Sequence, residues 1–465
     1  MPLIKSISGI RGTVGGRIEE NLTPIDVVKF IAAFGTCLKE KDLKPRVVLA
    51  RDARPSGSFY LDLAAGTLNS LGIDVVDAGA ITTPTMQMAV IMEKAQAGII
   101  LSASHNPNGW NALKMVDHNG EFLTKEIGKK ILAIVDKDDY EFVLEDKIGK
   151  REEDNTFLEK HIDKILELDL VDQEAIAKAD FSIAIDGVNS VGGPAIARLL
   201  ERLGVRMIKK INCDNSGIFP HDPEPLDKNL TQLSETVQEN GCDVGLVTDP
   251  DGDRLSLVCE DGSFFNEEYV IVAAADHVLG KVGGGNTVSN LSSSSALKEI
   301  AQKHNGKHSY SAVGEINVVL KMKESGAVIG GEGSGGVIYP ELHYGRDSLV
   351  GVALFLSFLA ENGLKVSELK KKYPAYFISK NKVELGQDMD LKKALEDFKN
   401  KYKDEKITDI DGVRVDFYKE WVHLRASNTE PIIRIYAESS SPEKADELAQ
   451  KVINEIKHAN LRIEC

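Results

Sequence analysis

The sequence predicts an α/β protein that ends in a smaller α+β domain, with four domains in all. Two observations carry this prediction. A pattern of strand, short turn, helix and strand occurs three times at wide spacing along the 465 residues, and the pattern changes after about residue 370. At roughly 150 residues per domain, the length alone predicts about three domains. The fourth domain is therefore inferred from the change of pattern.

The first copy of the pattern lies in the N-terminal part of the chain. Residues 45–52 form a short apolar, β-branched run that is typical of a strand. Residues 59–72 carry apolar side chains at helical spacing and end in a glycine, which commonly terminates a helix. A second β-branched run follows at 73–79. Together these segments predict one βαβ unit.

The same order of elements returns twice. Residues 181–204 and 286–306 each read as a strand, a turn of small residues and a helix, and another short strand follows each of them. The first strands of the three copies end at Asp52, Asp186 and Asn290, which are 134 and 104 residues apart. We therefore expect three separate α/β units of similar build, each with a mixed sheet sandwiched by helices.

The C-terminal part differs from these units. Alternating strands are interleaved there with two amphipathic helices, the second of which has Pro442 near its first turn. This order predicts a smaller α+β domain. The joins predicted near 153, 256 and 370 divide the chain into residues 1–153, 154–256, 257–370 and 371–465.

The charge balance excludes some classes of partner. The chain has 56 Lys and Arg against 72 Asp and Glu, a formal net charge of −16. A general nucleic-acid binder needs a basic surface, and a polybasic membrane-surface protein needs a basic face, so neither is expected. Small anionic ligands remain compatible, because they need only a few local cations.

The N-terminal sequence and the cysteines favour the cytoplasm. The first residues, MPLIKSISGIRG, lack the apolar core of a secretory signal, and no stretch of the chain approaches the roughly 18 apolar residues of a membrane span. The cysteines are odd in number and far apart, which favours reduced thiols over a disulfide scaffold or a zinc site. They are Cys37, Cys213, Cys242, Cys259 and Cys465.

A serine-rich turn is the first of four motifs with candidate chemistry. Ser102-Ala103-Ser104-His105-Asn106-Pro107 follows the apolar strand 97–101. Hydroxyl groups in a tight, exposed turn at a strand end serve as nucleophiles or simply cap the turn. Because Ser104 and His105 are adjacent and no G-x-S-x-G elbow is present, a Ser-His-Asp hydrolase is not indicated.

An acidic loop is the second motif. Asp249, Asp251 and Asp253 alternate along the loop after an apolar strand, and three carboxylates at this spacing suit a hard divalent cation. An EF-hand does not fit, since Arg254 stands where that loop requires glycine and a strand follows instead of a helix. A solvated acidic turn is the alternative to a metal site.

A glycine-rich loop at 330–336 is the third motif. Its glycines allow a close approach of the backbone to a ligand, and Glu332 and Ser334 offer hydrogen bonds to hydroxyl groups. Neither a Walker A loop nor a Rossmann fingerprint fits the residues that follow it. A flexible loop without a ligand is the alternative.

The fourth motif is the segment 425–431, RASNTEP. Its arginine, small hydroxyl groups and turn amides suit a phosphate dianion, and Arg434 follows shortly after it. The alternative is a surface turn with ordinary salt bridges.

Taken together and in this order, the motifs resemble those of the α-D-phosphohexomutase family, which includes phosphoglucomutases, phosphomannomutases and phosphoglucosamine mutases. The resemblance spans essentially the whole chain through SGIRGT, ARDARPSG, SASHNP, DPDGDR, GEGSGG and RASNTEP. It implies four domains around a central cleft. It also implies an enzyme that interconverts hexose 6-phosphate and hexose 1-phosphate through a phosphoserine and a hexose 1,6-bisphosphate.

The resemblance implies a role for each matching residue. Ser104 matches the phosphoserine, with Arg11, His105 and Lys114 around it, and Lys114 is a candidate for proton transfer. The implied Mg²⁺ ligands are Asp249, Asp251, Asp253 and a phosphate oxygen on Ser104. Arg254 and the sugar loop, through Glu332 and Ser334, face the substrate. The group that holds the non-reacting phosphate comprises Arg425, Ser427, Asn428 and Thr429, with Arg434 in support.

Two positions depart from many relatives. The sugar loop of the family often ends in histidine, where this chain has Gly336, and a Val-Gly-His in the third domain is Val313-Gly314-Glu315 here. A histidine acid or base in the third domain is therefore not expected in this protein.

The expected partners are small hexose phosphates, with no nucleic acid and no membrane, for a monomer or homodimer. Among the sugars, the SASHNP and ISGIRGT segments favour glucosamine phosphate, and mannose or glucose phosphate is the alternative. A non-catalytic sugar-phosphate binder is a more remote hypothesis. Such a binder needs neither Ser104 nor all three aspartates, so the presence of all four residues argues against it.

Overall fold

The computed structural model describes residues 3–6, 9–39, 44–384, 391–426 and 432–461. Within them the strands form four separate sheets, three of mixed direction and one antiparallel. The predicted fold class is confirmed. Ser427, Asn428 and Thr429 lie outside the described residues.

The first sheet has seven strands in the order β1-β2-β6-β5-β3-β4-β7. Apolar side chains cover both of its faces, with α1, α2 and α4 on one side and α3 on the other. The strands are β1 (Ile4–Ser6), β2 (Gly9–Thr13), β3 (Arg46–Arg51), β4 (Asp74–Ala80), β5 (Ala97–Leu101), β6 (Trp110–Asp117) and β7 (Arg151–Glu153). The helices are α1 (Pro24–Lys39), α2 (Ser56–Ser70), α3 (Thr83–Glu93) and α4 (Lys125–Lys137).

The second sheet has the order β11-β10-β8-β9, with only β11 antiparallel. Its strands are β8 (Ser182–Asp186), β9 (Met207–Ile211), β10 (Val244–Thr248) and β11 (Leu255–Cys259). The sheet thus continues three residues beyond the join predicted near 256, because the apolar run LSLVC pairs with β10. The helices are α5 (Phe157–Leu166), α6 (Gln173–Ala179), α7 (Gly192–Arg202) and α8 (Thr231–Asn240).

The third sheet repeats the second, with the order β13-β12-β14-β15 and only β15 antiparallel. Its strands are β12 (Asn286–Asn290), β13 (His308–Ser311), β14 (Ala327–Glu332) and β15 (Gly336–Ile338). The helices are α9 (Val270–Val282), α10 (Ala296–Lys303), α11 (Glu315–Ser325), α12 (Ser348–Asn362) and α13 (Val366–Lys372).

The fourth sheet is antiparallel throughout, in the order β16-β20-β19-β18-β17. Its strands are β16 (Phe377–Glu384), β17 (Lys406–Thr408), β18 (Val413–Asp416), β19 (Trp421–Ala426) and β20 (Ile432–Ser439). The helices are α14 (Leu391–Lys401) and α15 (Pro442–Leu461).

The hydrophobic cores do not follow the four sheets one to one. A single cluster of buried side chains runs from α5 in the second unit through α9 and α12 in the third. The fourth sheet has its own core against α15. The second and third units therefore form one packed body, and the first and fourth units are built on separate cores.

Within the described part of the chain, no single helix is both long and apolar enough to cross a membrane. Only α12 and α13 taken together pass on length and composition, and they meet at a bend of 91°. Most of α12 is buried in the shared core of the second and third units.

Candidate active site

Three of the four motifs occupy the same topological position in three different sheets. In each of the first three sheets, three parallel strands that follow one another in the chain (β3 to β5, β8 to β10 and β12 to β14) precede an antiparallel strand. The motif is the loop between the third of these strands and the antiparallel one. The serine loop joins β5 to β6, the acidic loop joins β10 to β11, and the glycine-rich loop joins β14 to β15.

The serine loop holds Ser104 in a conformation that few residues adopt. Ser104 has φ of 48°, in the left-handed region, and is 8% exposed. Its backbone N–H donates to Ser102 Oγ at 3.0 Å, and Ser102 Oγ donates to Asp52 Oδ2 at 2.7 Å. The loop is therefore shaped by its own hydroxyl groups and by a buried carboxylate at the end of β3.

Arg54 binds the backbone of this loop, and it was not among the predicted site residues. Its side chain is 2% exposed, and its Nε donates to Asp52 Oδ2 at 3.0 Å. Its remaining donors reach four backbone carbonyl groups of the loop, those of Ser104, Asn106, Pro107 and Trp110, at 2.5 to 3.0 Å. The signal was present in the ARDARPSG segment, as a charged pair directly after a buried strand.

The acidic loop buries all three of its aspartates. Asp249, Asp251 and Asp253 are fully buried, and one oxygen from each lies within 4.8 Å of the others. The turn between them requires Gly252, which has φ of +72° and whose missing side chain would meet Thr82 Cγ2 at 2.7 Å. The predicted acidic cluster is thus compact and sheltered from water.

The remaining contacts of these carboxylates fit a bound cation. Lys114 Nζ and Thr83 Oγ1 each donate to Asp251 Oδ2 at 2.5 Å, and Arg346 Nη2 donates to Asp253 Oδ2 at 2.6 Å. The other oxygens of Asp251 and Asp253, both Oδ1, are buried without a hydrogen bond among the described residues. Orphaned buried oxygens of this kind suit a hard divalent ion.

Ser104 meets this cluster directly. Its Oγ donates to Asp249 Oδ2 at 2.6 Å and lies 3.3 Å from His105 Nδ1. Burial and the neighbouring carboxylates of Asp253 and Asp251 raise the pKa of Asp249 well above its usual value. Such repulsion among buried carboxylates is relieved by a cation or a proton.

Arg11 and Lys114, two of the groups predicted around Ser104, lie on neighbouring strands of the first sheet. Arg11 on β2 pairs with Ala112 and Gly9 pairs with Lys114 on β6, so that Arg11 and Lys114 project from the same face of the sheet. The charge of Arg254, burial, and the charges of Lys114 and Arg11 lower the pKa of His105 well below its usual value. The imidazole is therefore neutral beside Ser104.

Lys114 is held as a charged group. Burial acts to lower the pKa of its ammonium, but the charges of Asp251 and Asp253 outweigh that effect and raise the pKa. Arg254, the next predicted residue, donates its backbone N–H to Asp249 Oδ1 at 3.2 Å, and its guanidinium lines the cleft.

The glycine-rich loop directs Glu332 into a network of donors. Its Oε1 accepts from Asn290 Nδ2 at 2.7 Å and from the N–H of Gly314 at 3.2 Å, and its Oε2 accepts from Arg346 Nη1 at 2.7 Å. Burial acts to raise the pKa of Glu332, but Arg346 and Asn290 lower it overall. Ser334 lines the same cleft. Arg346 was not among the predicted residues.

The described residues of the fourth motif belong to the fourth sheet. Arg425 at the end of β19 and Arg434 on β20 are register partners and both line the cleft. Arg425 Nη1 is 3.6 Å from Asp411 Oδ2, and Arg434 Nε has no hydrogen bond among the described residues. Ser427, Asn428 and Thr429 cannot be placed here, since they fall outside those residues.

A cavity of about 240 Å³ is lined by predicted residues from all four units. Its lining includes His105 from the first unit, Arg254 from the second, Glu332 and Ser334 from the third, and Arg425 and Arg434 from the fourth. The serine and aspartate cluster borders the cleft beside His105 and Arg254, and Arg425 and Arg434 line the cleft from the fourth unit. These two parts are called the serine end and the arginine end.

Comparison with known proteins agrees with this arrangement. Four family models match in order: the phosphoglucomutase/phosphomannomutase alpha/beta/alpha domains I, II and III at residues 4–142, 159–262 and 266–376, and the C-terminal domain of the same family at 381–455.

Individual proteins match over nearly their full length. A phosphoglucomutase/phosphomannomutase of Thermococcus kodakarensis is 35% identical, over 96% of this chain and 98% of that protein. A probable phosphoglucosamine mutase of Methanopyrus kandleri is 32% identical, over 96% of both. The crystal structure of a phosphoglucomutase/phosphomannomutase family protein of Burkholderia thailandensis superposes with a TM-score of 0.83 at 24% identity, covering 98% of both chains.

The resemblance read from the motifs is therefore confirmed by domain matches along the chain and by relatives of full length. The chain belongs to the phosphoglucomutase/phosphomannomutase family of α-D-phosphohexomutases, and it is an isomerase of the phosphohexomutase class.

Proposed function

We propose that this phosphohexomutase interconverts hexose 6-phosphate and hexose 1-phosphate through phospho-Ser104 and a hexose 1,6-bisphosphate, in a reaction that depends on Mg²⁺. The observation that carries the proposal is the 2.6 Å contact between Ser104 Oγ and Asp249 Oδ2 beside the cleft, with a separate pair of arginines from the fourth unit in the cleft lining.

Phosphoryl transfer is assigned to the serine end of the cleft. A hydroxyl oxygen of the sugar forms the new bond to phosphorus while the bond from phosphorus to Ser104 Oγ breaks. His105, neutral and 3.3 Å from Ser104 Oγ, and the ammonium of Lys114 are the proposed proton-transfer groups. Arg11 supplies further positive charge beside the phosphoserine.

Asp249, Asp251 and Asp253 would hold the Mg²⁺ together with a phosphate oxygen on Ser104. When bound, the ion neutralises charge on the phosphoserine and on the transferring phosphoryl group. The Oδ1 atoms of Asp251 and Asp253 support this assignment, because neither accepts a hydrogen bond from the part of the chain that the structure describes, while a protein donor binds the second oxygen of each carboxylate.

The arginine end of the cleft is assigned to the phosphate that does not react. Arg425 and Arg434 would hold it, with Ser427, Asn428 and Thr429, and Arg254 would face the substrate between the two ends. Glu332 and Ser334 would accept and donate hydrogen bonds to sugar hydroxyls in either orientation. The bisphosphate must turn over between the two transfers, so a site with one reactive end and one holding end suits both halves of the reaction.

For the sugar we propose glucosamine phosphate, with mannose or glucose phosphate as the alternative. The names of the relatives include both kinds, a probable phosphoglucosamine mutase at 32% identity and a phosphoglucomutase/phosphomannomutase at 35%. Incubation of Ser104-phosphorylated protein and Mg²⁺ with a panel of hexose 1-phosphates, followed by ³¹P NMR, tests the choice. Equal or faster turnover of mannose 1-phosphate would reject glucosamine phosphate.

The catalytic role of Ser104 separates an enzyme from a sugar-phosphate binder. Ser104→Ala should abolish exchange between the two hexose phosphates, and Ser58→Ala, on the exposed side of α2, is the matched control. Exchange that survives in the Ser104→Ala protein would remove the phosphoserine mechanism. We propose the cytoplasm as the compartment and a monomer or homodimer as the assembly, which sedimentation of the full chain would distinguish.

A further inference from the structure

One guanidinium group connects the acidic loop to the glycine-rich loop. Arg346 lies directly before α12 and is 9% exposed. Its Nη2 donates to Asp253 Oδ2 at 2.6 Å, its Nη1 to Glu332 Oε2 at 2.7 Å and its Nε to Glu315 Oε2 at 2.9 Å. A single cation thus serves three buried carboxylates from two domains.

These contacts set the direction of two carboxylates, that of Asp253 in the acidic loop and that of Glu332 in the cleft wall. With Asp253 Oδ2 bound to Arg346, Oδ1 is the oxygen left without a hydrogen bond among the described residues. With Glu332 Oε2 bound to the same guanidinium, the carboxylate is kept at the wall of the cleft. A planar fork fixes both carboxylates at once, which an ammonium cannot do.

The path of the Arg346 side chain explains why residue 336 is glycine. Gly336 lies opposite Glu332 in the pairing of β14 with β15. A Cβ added at Gly336 would stand 2.3 Å from Arg346 Cδ and 2.9 Å from Arg346 Cγ. Any side chain at this position therefore displaces the arginine from the space that it occupies over the hairpin.

The backbone around Arg346 is fixed to both loops as well. The N–H of Asp347 donates to Val337 O at 2.8 Å, behind the glycine-rich loop. Ser348 Oγ donates to Gly252 O at 2.7 Å, inside the acidic loop. The residues that directly follow Arg346 are therefore hydrogen-bonded to both loops. The backbone of Arg346 has little freedom to move relative to its three carboxylate partners.

We propose that Arg346 is a positioning residue that holds the metal-loop carboxylate Asp253 and the sugar-loop carboxylate Glu332 in one fixed relation, and that Gly336 is glycine to admit it. This inference rests on the proposed roles of the two loops in the phosphohexomutase reaction. In this proposal, an arginine that lies directly before α12 aligns the sugar-binding carboxylate with the metal-binding carboxylate.

A double-mutant cycle tests the link between the two positions. Arg346→Ala should lower kcat/KM by about 100-fold or more, and Gly336→Ala by at least about tenfold. In the Arg346→Ala background, Gly336→Ala should cost less than about twofold, because the side chain that it displaces is gone. If Gly336→Ala costs as much with alanine at 346 as with arginine, the proposed reason for the glycine is wrong.

Two charge-conserving variants separate positioning from charge and from stability. Arg346→Lys and Gly336→Ala both keep the net charge, and each should raise the Kd for Mn²⁺, measured by electron paramagnetic resonance on the metal-free protein, about fivefold. Their kcat and KM for the hexose phosphate should both change, since the metal ligand and the sugar contact are affected together. Arg198→Lys, on the surface beside Glu159, and Gly66→Ala, in open space on α2, are the matched controls.

If Arg346→Lys and Gly336→Ala lower only the melting temperature, with wild-type Mn²⁺ binding and kinetics below it, Arg346 has a structural role and the proposal is overturned. The Mn²⁺ measurement needs no substrate. Wild-type protein that binds Mn²⁺ but exchanges no hexose phosphate would therefore contradict the proposed function, and the two variants would still decide the role of Arg346.

Discussion

The two ends of the cleft are built in opposite ways. At the serine end, Ser104 and the three aspartates are buried, and Arg54, Lys114 and Arg346 hold them through hydrogen bonds of 2.5 to 3.0 Å. At the arginine end, the side chain of Arg425 is 21% exposed, and among the described residues the nearest carboxylate oxygen, Asp411 Oδ2, is 3.6 Å from its Nη1.

The difference matches the roles that we propose for the two ends. Phosphoryl transfer requires reacting atoms held within a fraction of an ångström, so its groups are oriented before the substrate arrives. A phosphate that is only held brings its own acceptor oxygens and completes the hydrogen bonds of the arginines when it binds. Changes at the serine end should therefore act mainly on kcat, and changes at the arginine end mainly on KM.

The largest effect is expected from the acidic loop. Asp251→Asn removes a charge that faces Lys114 and one oxygen of the proposed metal site, so we expect kcat to fall on the order of 10³-fold and the Mg²⁺ requirement to rise. Activity is measured across a Mg²⁺ titration, with Asp261→Asn on the exposed turn after β11 as control. An unchanged rate at limiting Mg²⁺ would take Asp251 out of the ligand set.

Arg54→Ala tests whether the serine end is held in shape by a buried ion pair. The change leaves Asp52 buried without its cation and four carbonyl groups without a donor, which should cost about 3–5 kcal/mol of stability. Urea denaturation of the full chain measures it, with Arg17→Ala on the surface as control. A loss below about 1 kcal/mol would show that the loop keeps its shape without Arg54.

Arg425→Ala tests the arginine end. Losing a charge-assisted contact to the substrate phosphate should raise KM by about 10- to 100-fold while kcat changes little. Steady-state kinetics with both hexose phosphates measure the split, and Lys444→Ala on the exposed surface of α15 is the control. A fall in kcat with KM unchanged would reverse the division of labour between the two ends.

The smallest effect that we expect is a pH dependence of stability that arises from His423, on the strand that also bears Arg425. His423, two residues earlier on β19, donates from Nε2 to Asp411 O at 2.7 Å and lies 3.0 Å from Ser292 Oγ through Nδ1. Burial lowers the pKa of His423 to about 4, against a usual value of 6.5. Because the pKa of His423 is lower in the folded than in the unfolded protein, protonation favours the unfolded state. The contribution of neutral His423 to the free energy of unfolding is complete above pH 6.5 and is lost as the pH falls toward 4.

Between pH 6.5 and pH 5 the loss amounts to roughly 2 kcal/mol at about 1.36 kcal/mol per pH unit. Urea midpoints at the two pH values measure it, and His423→Gln should remove most of this pH dependence. The same dependence in the Gln variant would assign the titration to another group. Loss of mutase activity at pH 5 should then appear in KM before it appears in kcat.

Much of the site could be predicted from the sequence because its residues stand in short segments. Ser104 and the three aspartates lie in loops directly after a strand, and Glu332 and Arg425 lie at strand ends, where residue type and spacing indicate the chemistry. Arg54 and Arg346 were missed, since each acts on partners far along the chain. Arg54 reaches the serine loop about fifty residues away, and Arg346 reaches Asp253 in another domain.

The domain organisation shows the same limit. The repeated strand and helix pattern predicted three α/β units, and the change near residue 370 predicted the fourth domain. The pattern could not reveal that the second and third units share one hydrophobic core, because an apolar helix such as α12 buries its side chains equally well against either neighbour. It also could not reveal that three motif loops occupy the same place in three sheets.

The sequence by itself determined the fold class, the order of the four domains, the family and the residue types that we propose for the chemistry, since these follow from local periodicity and from short motifs. Only the tertiary structure decided which carboxylate oxygens are left free, which cation holds each loop, and why Gly336 has no side chain. Such features depend on distances between segments far apart in the chain, which close packing sets and local sequence does not encode.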